Sequence, residues 1–173
     1  MPFDHTQASL DTNILRYFFA AGRLDLIWAL FPDGIWIDPS VLYEVRKEFG
    51  DALDTELEQG GFLFQVERRF EDDDYLQMAE IKARHRALKH PDIVTVVVAE
   101  KQGITCLSAD DVVRKVCEER GIPFARHLGC LDEAVGRKLL ERENAASLMK
   151  QFLEAGLYLP AAMVENYQKK WNG

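Results

Sequence analysis

Four carboxylates in this sequence occupy positions where predicted strands and helices meet. Asp11 and Asp110 each follow a short apolar stretch typical of a strand, and Asp92 begins the helix that leads into the second of these strands. Glu44 lies in the early turns of the helix that follows another strand. In an open α/β sheet, ligands gather beyond the carboxyl ends of the strands. The four acids are therefore predicted to meet at one edge of one sheet.

Carboxylates that meet in this way repel one another, and some must be protonated unless cations neutralise them. Mg²⁺ and Mn²⁺ prefer oxygen ligands and keep several waters. Such an ion lowers the pKa of a bound water and stabilises charge on a phosphodiester. The pattern therefore predicts metal-assisted phosphodiester hydrolysis, in which Asn13 and Ser108 orient ligands or waters from the same edge.

Each acid also has an explanation that needs no metal. An Asp at a helix start is favoured by capping and by the helix dipole, and for Asp92 or Asp110 taken alone this explanation is the stronger one. Glu44 taken alone is an ordinary solvated helix residue. Asp11 is harder to explain, because its neighbour Leu10 is apolar and predicted to be buried. Only the set of four favours a catalytic site.

Strands and helices alternate along the chain in the pattern of a parallel α/β sheet. The strands are predicted at residues 7–11, 34–38, 62–67, 104–108 and 122–126. The helices are predicted at 14–20, 24–31, from the N-cap Ser40 to 49, at 71–88, 92–102 and 110–120, and from 128 onward with a break at 154–160. No repeat or linker is evident, so we predict a single domain, with a core at about 8–135 and a helical tail at about 128–173.

Composition and charge narrow the class of protein. The chain has 173 residues, 47% of them hydrophobic, which is enough to bury a core. Its net charge of −8 argues against a non-specific nucleic-acid binder, but not against an enzyme whose acidic site holds cations.

The chain also lacks several features of secreted and membrane proteins. The N-terminus has neither the basic nor the apolar region of a secretory signal, and no apolar run is long enough to span a bilayer. The three cysteines, Cys106, Cys117 and Cys130, lie in apolar surroundings without a CxxC pair. We therefore expect buried, reduced thiols in a cytoplasmic protein.

The ordered motifs of this sequence resemble a PIN domain, a metal-dependent nuclease fold. The segments that carry the resemblance are "LDTNIL", "DPSVLYEVRKEF" and "HPDIVTVVVAEKQGITCLSADDVVRKVCEERGI". The helical tail also resembles that of a bacterial and archaeal subgroup related to toxin–antitoxin ribonuclease toxins. The family's acidic positions fall on Asp11, Glu44, Asp92 and Asp110, and its accompanying polar positions fall on Thr12, Asn13 and Ser108.

This resemblance implies a three-layer α/β/α fold with a central parallel sheet and a helical C-terminal tail. It implies an endoribonuclease that acts on RNA, with Mg²⁺ or Mn²⁺ held by the four acids. Asp111 is an adjacent alternative to Asp110 as a ligand. The candidate protein partners are an antitoxin and a second copy of the chain, and no membrane partner is expected.

Two other functions are compatible with an acidic sheet edge. One is an inactive PIN-like module that only binds RNA or protein, which the presence of all four acids disfavours. The other is a flavodoxin-like signalling receiver, which also gathers acids around Mg²⁺. A receiver needs a Lys after a late strand, and none follows "IPFAR" here.

Further residues have two explanations each. Arg16, one turn after Asp11, is placed to contact a phosphate or to form an ion pair. The basic segment 82–90 is either a guide for RNA phosphates or a solvated helix face, and the second is favoured. His127 is the only histidine whose predicted position reaches the site. An apolar stripe on the last helix either docks on the core, which is favoured, or forms a partner groove; it consists of Met163, Tyr167 and Trp171.

Overall fold

The computed structural model describes every residue from Met1 to Gly173 and contains four short strands and ten α-helices. The strands are β1 (Gln7–Leu10), β2 (Gly34–Trp36), β3 (Thr105–Leu107) and β4 (Phe124–Ala125). The helices are α1 (Thr12–Ala20), α2 (Leu24–Leu30), α3 (Pro39–Phe49), α4 (Ala52–Gln59), α5 (Asp72–Arg84), α6 (His90–Gln102), α7 (Asp111–Arg120), α8 (His127–Gly136), α9 (Arg142–Glu154) and α10 (Ala161–Asn172).

The four strands form one parallel sheet in the order β2-β1-β3-β4. Leu10 at the end of β1 pairs with Leu107 at the end of β3, so these two central strands finish side by side. Parallel sheets need crossover connections, which here are helices. The chain segments that leave β1 and β3 therefore begin at the same edge of the sheet, as the positions of Asp11 and Asp110 required.

Helices cover both faces of the sheet and give the α/β/α architecture predicted from the sequence. The larger core, of 31 buried residues, lies between the sheet and helices α1–α4 and α8–α10. The smaller core, of 15 buried residues, lies between the sheet and helices α5–α7. The residues of β3 alternate between them, with Cys106 in the smaller core and Leu107 in the larger. This burial on both faces agrees with the complete burial of all three residues of β3.

Helix α6 is fixed to the central strand by two buried side chains. Ser9 Oγ donates a hydrogen bond to the Thr95 carbonyl at 2.9 Å. Thr95 Oγ1 in turn donates to the Leu10 carbonyl, at the end of β1, at 3.3 Å. These bonds tie the first turns of α6, which include Asp92, to the strand that ends beside Asp11.

One predicted strand is wrong. Residues 62–67 make a single parallel bridge, between Gln65 and Trp36, and form no strand. Gln65 donates its N–H to the Ile35 carbonyl at 2.7 Å and accepts from the Ile37 N–H at 3.0 Å. The segment lies against β2, a three-residue edge strand, which limits their pairing.

Several predicted helix limits also need correction. Asp38, not Ser40, caps α3, and its side chain accepts the Ser40 N–H at 2.9 Å. Pro39 then occupies the first helical position, where its missing N–H costs no hydrogen bond. Likewise Pro91 lies inside the first turn of α6, so Asp92 is the third helical residue and not the first.

Three further helix predictions differ from the structure. Helix α5 ends at Arg84, four residues before the predicted limit, and α4 was not predicted. The tail has a second break, between α8 and α9, where Lys138 has a φ of 61°. The predicted break at 154–160 is present between α9 and α10.

Other expectations about the core are confirmed. The three cysteines are free and buried. Trp171 belongs to the larger core, and Met163 and Tyr167 pack against it, so the stripe on α10 docks on the chain itself.

None of the ten helices combines the length and the apolar character that crossing a membrane requires.

Candidate active site

Asp11 joins the central strand to the first helix. Its N–H donates to the Leu107 carbonyl at 3.1 Å, which extends the β1–β3 pairing by one residue. Its Oδ1 accepts the Ile14 N–H at 2.9 Å and so caps α1. The side chain is buried, with only 1% of its surface exposed. Asp11, Thr12 and Asn13, three polar residues between apolar ones, therefore form a helix start at the carboxyl edge of the sheet.

Asp92 and Asp110 also occupy the starts of helices. Asp92 Oδ2 accepts the Lys89 N–H at 2.9 Å. Asp110 Oδ1 accepts the Val112 N–H at 2.7 Å and caps α7. In both residues these bonds use one carboxylate oxygen and leave the other without a protein donor. Both residues therefore cap a helix, as the metal-free explanation predicts. Capping uses only one oxygen of each carboxylate.

Glu44 reaches the same edge from α3, where it forms an ion pair with Lys47 at 3.2 Å. It lines an open polar cleft of about 360 Å³, which we call the acidic cleft. Asp92 and Asp110 line the same cleft, and the buried Asp11 directly precedes one of its lining residues, Thr12. The structure thus brings the predicted acids to one place. The complete lining is Thr12, Asn13, Arg16, Glu44, Glu48, Ala87, Lys89, Pro91, Asp92 and Asp110.

The acids influence one another's ionisation. Burial raises the pKa of Asp11 from its ordinary value of 3.8 to about 7, and the negative charges of Asp92 and Asp110 add to this rise. Hydrogen bonds from Ile14 and Ser108 act in the opposite direction. Burial also raises the pKa of Asp92, with smaller contributions from the nearby negative charges. Such raised values mark carboxylates removed from water, a feature that is common at functional sites.

The donor chemistry of the acidic cleft fits a hard divalent cation. Carboxylate oxygens are the ligands that Mg²⁺ and Mn²⁺ prefer. Thr12 Oγ1 is a further oxygen, buried beside the cleft without a hydrogen-bond partner. In the chain as it stands, no three His, Cys, Asp or Glu side chains are close enough together to hold a metal ion. Cation binding would therefore have to draw the carboxylates towards one another.

The two adjacent acids of "SADD" have different surroundings. Asp111 lies outside the acidic cleft, with 70% of its side chain exposed, and pairs with Arg126 and with Arg114. The pair with Arg126 lowers the pKa of Asp111. Asp110, by contrast, lines the cleft and is held by the buried Ser108, whose Oγ accepts the Asp110 N–H at 3.1 Å.

Arg16 forms the ion pair that the sequence offered as one of its two explanations, and it also lines the acidic cleft. Its partner in this ion pair is Glu48, at 2.5 Å. Glu48 was not predicted as part of the site. The sequence could have predicted its position, because Glu48 follows Glu44 by four residues and therefore lies on the same face of α3. Asn13 lines the cleft with an exposed side chain.

His127 does not reach the acidic cleft. It is buried among aromatic rings, and its ring lies parallel to that of Phe18 at 6.0 Å between centroids. Nε2 lies 3.2 Å from the Asn13 carbonyl, which can only accept, so this nitrogen carries the proton. Burial lowers the pKa of His127 to about 4. The histidine thus supports the first turn of α1 from behind, in its neutral form.

The basic segment 82–90 contributes one charged side chain to the acidic cleft. Lys89 lines it, whereas Lys82 donates to backbone carbonyls of the following turn and Arg84 pairs with Glu80. The interpretation as a solvated helix face holds for residues 82–84, whereas residues 85–89 form the connection between α5 and α6.

Comparison with known proteins adds a family assignment. A protein-family model described as a PIN domain matches residues 8–173, which is nearly the whole chain. No curated protein sequence matches the chain.

Proposed function

The chain belongs to the PIN-domain family, and we propose that it is a metal-dependent endoribonuclease that hydrolyses RNA phosphodiester bonds. A nuclease-like fold agrees with the family. The observation that carries the proposal is the acidic cleft, where Glu44, Asp92 and Asp110 surround the helix start that contains Asp11. These four carboxylates would hold Mg²⁺ or Mn²⁺. When bound, the ion supplies an acidified water and stabilises charge on the phosphodiester.

The chain's own residues prepare the cleft for this chemistry. The Ile14 N–H and the Ser108 hydroxyl orient the Asp11 carboxylate. Backbone N–H groups at the starts of α6 and α7 orient Asp92 and Asp110 in the same way. One oxygen of each of these two carboxylates is anchored, and the other has no protein donor and so remains available to a cation.

Two cations in the cleft can contact the RNA backbone. Arg16 and Lys89 lie in the lining together with the acids. Arg16 is held by Glu48, so a phosphate that enters the cleft would compete with that carboxylate for the guanidinium. On a chain of net charge −8, these local cations and the bound ion provide the attraction that the whole molecule lacks.

The finer role that we propose is that of the toxin in a type II toxin–antitoxin pair. The resemblance of the helical tail to that subgroup supports it, with an antitoxin and a second copy of the chain as protein partners. Two observations would support the role. One is a small upstream reading frame that encodes a DNA-binding protein, and the other is co-purification of that protein with this chain. A neighbouring gene of another kind would count against it.

RNA cleavage tests the proposed activity. The wild-type chain should cleave RNA with Mn²⁺ and lose this activity in EDTA. Asp11→Asn and Glu44→Gln should each reduce the rate by roughly 100-fold or more, at or beyond the upper end of the range for loss of a residue that supports a metal site. Equal rates in all three proteins would contradict the roles assigned to these acids.

Calorimetry distinguishes the enzyme from the alternative, an inactive module that binds RNA or protein. The enzyme should bind Mn²⁺ with an affinity that falls in Asp110→Asn. Absence of Mn²⁺ binding by the wild-type chain would favour the inactive module.

A further inference from the structure

A second cleft lies beside the acidic one and shares with it the loop Ser108–Asp110. Its lining includes Ala109 from this loop and Tyr158, Leu159 and Met163 from the tail, and we call it the apolar cleft. Ala109 directly precedes Asp110, which lines the acidic cleft. The two clefts are therefore neighbours at the same edge of the sheet.

Tyr158 is the most conspicuous residue of the apolar cleft. It is 85% exposed, although the adjacent Leu157 is buried in the larger core. An aromatic ring in this position contributes little to the stability of the fold. Its exposed face is available to a ligand next to the acidic cleft.

Arg126 supplies the polar part of the same cleft. Its guanidinium pairs with Asp111 and lies 5.9 Å from the centre of the Phe124 ring. A guanidinium provides several N–H donors in one plane and also stacks on flat rings. The apolar cleft thus combines an exposed aromatic ring, apolar walls and a planar donor.

We infer that the apolar cleft binds one nucleobase of the RNA substrate, adjacent to the nucleotide in the acidic cleft, and that Tyr158 stacks on this base. The inference rests on the proposed function. Stacking on aromatic side chains is a main source of affinity for unpaired nucleic-acid bases, and it adds to the electrostatic attraction of the phosphates. It therefore supplements that attraction on a chain whose net charge is −8.

The size of the apolar cleft favours a base over a docking helix of a protein partner. The cleft measures about 60 Å³. A helix that docks in a groove inserts a row of side chains from successive turns and needs a longer depression. A base that stacks on the exposed ring of Tyr158 inserts only an edge into the cleft and needs only a short recess.

Direct binding of RNA to an uncleaving variant tests the inference. Asp11→Asn serves as the parent protein, because Asn caps a helix as well as Asp and the fold is retained. A fluorescently labelled single-stranded RNA of about ten nucleotides is titrated by anisotropy. Adding Tyr158→Ala should weaken the Kd by about 5- to 100-fold, the range for loss of one stacked base. Tyr158→Phe should bind like the parent.

Tyr75→Ala is the matched control. Tyr75 is 56% exposed and contacts Phe70, which lies next to Lys101 at the far end of α6 from Asp92. This substitution should leave the Kd unchanged. In RNAs with one base removed at successive positions, one position should abolish the further effect of Tyr158→Ala.

Equal Kd values for the parent and its Tyr158→Ala variant, an equal loss in Tyr75→Ala, or no RNA binding by the parent would overturn the inference. Failure of the proposed function is a separate result. The proposed function would fail if the wild-type chain bound RNA in a Tyr158-dependent way but cleaved no RNA in Mn²⁺.

Discussion

Asp11 combines a structural and a chemical role in one carboxylate. It caps α1 through the Ile14 N–H, yet it is buried next to two other acids, and its pKa is raised to about 7. A carboxylate held in this state is costly to ionise without a cation nearby. The stability of the chain should therefore depend on the ionisation of this residue.

In EDTA, Asp11→Asn should stabilise the chain at pH 8. The pKa of Asp11 is about 7 in the folded chain and 3.8 in the unfolded chain. The contribution of protonated Asp11 to stability is therefore fully present below pH 3.8 and is lost as the pH rises through 7. The difference of about three pKa units corresponds to roughly 4 kcal/mol. Even half of this amount would raise the Tm by about 4–8 °C.

Thermal unfolding at pH 8 and at pH 4 measures this effect of Asp11→Asn. The advantage of the variant should shrink at pH 4, where Asp11 is protonated in the folded chain. A variant that is less stable than the wild type at pH 8 would contradict the assigned pKa.

His127 should produce the opposite dependence. Its pKa is lowered from 6.5 to about 4, so the unfolded chain takes up a proton first and stability is lost as the pH falls from 6.5 to 4. His127→Gln keeps an N–H donor for the Asn13 carbonyl but does not titrate. The stability advantage of the wild type over this variant at pH 7 should fall by about 3 kcal/mol at pH 4.

Urea unfolding of both proteins at the two pH values provides the comparison for His127→Gln. An advantage of the wild type that is independent of pH would show that His127 is not held neutral.

At the scale of elements, helix starts position the site and were the hardest features to place from sequence. The apolar pattern located β1, β2, β3, β4 and most helices, because burial on one or both faces leaves a periodic signal. It did not identify Asp38 as the cap of α3, since Asp38 and Ser40 are both favourable caps and only the backbone geometry selects one. Residues 62–67 carry a strand-like pattern, but tertiary contacts with the edge strand β2 allow one bridge.

The cap of α3 can be tested directly. Asp38→Ala should lower the free energy of unfolding by about 1 kcal/mol, because the Ser40 N–H loses its acceptor. Ser40→Ala should cost less, since the Ser40 N–H and the Asp38 carboxylate both remain. Urea unfolding measures both changes. If Ser40→Ala lowered the free energy of unfolding more than Asp38→Ala does, Ser40 would be the cap.

At the scale of the whole molecule, the parallel sheet assembles the site from distant parts of the chain. The convergence of the acids was predictable, because parallel strands end at one edge and helices begin there. The ion pair between Asp111 and Arg126 was not predictable. It joins residues 15 positions apart and depends on the arrangement of α7 and β4. The burial of His127 likewise depends on the packing of α1, α8 and α9, which no local pattern encodes.

Cleavage of RNA by a panel of five variants tests the central claim most directly. Four variants remove one acid from each contributing segment, namely Asp11→Asn, Glu44→Gln, Asp92→Asn and Asp110→Asn. The fifth, Asp111→Asn, is the matched control, because its side chain is acidic and adjacent to Asp110 but lies outside the acidic cleft.

In Mn²⁺, each of the first four variants should lose roughly 100-fold or more of the wild-type rate, while Asp111→Asn keeps it. Circular dichroism should show all five folded. A wild-type chain that cleaves no RNA, or a loss in Asp111→Asn as large as that in Asp110→Asn, would contradict the account.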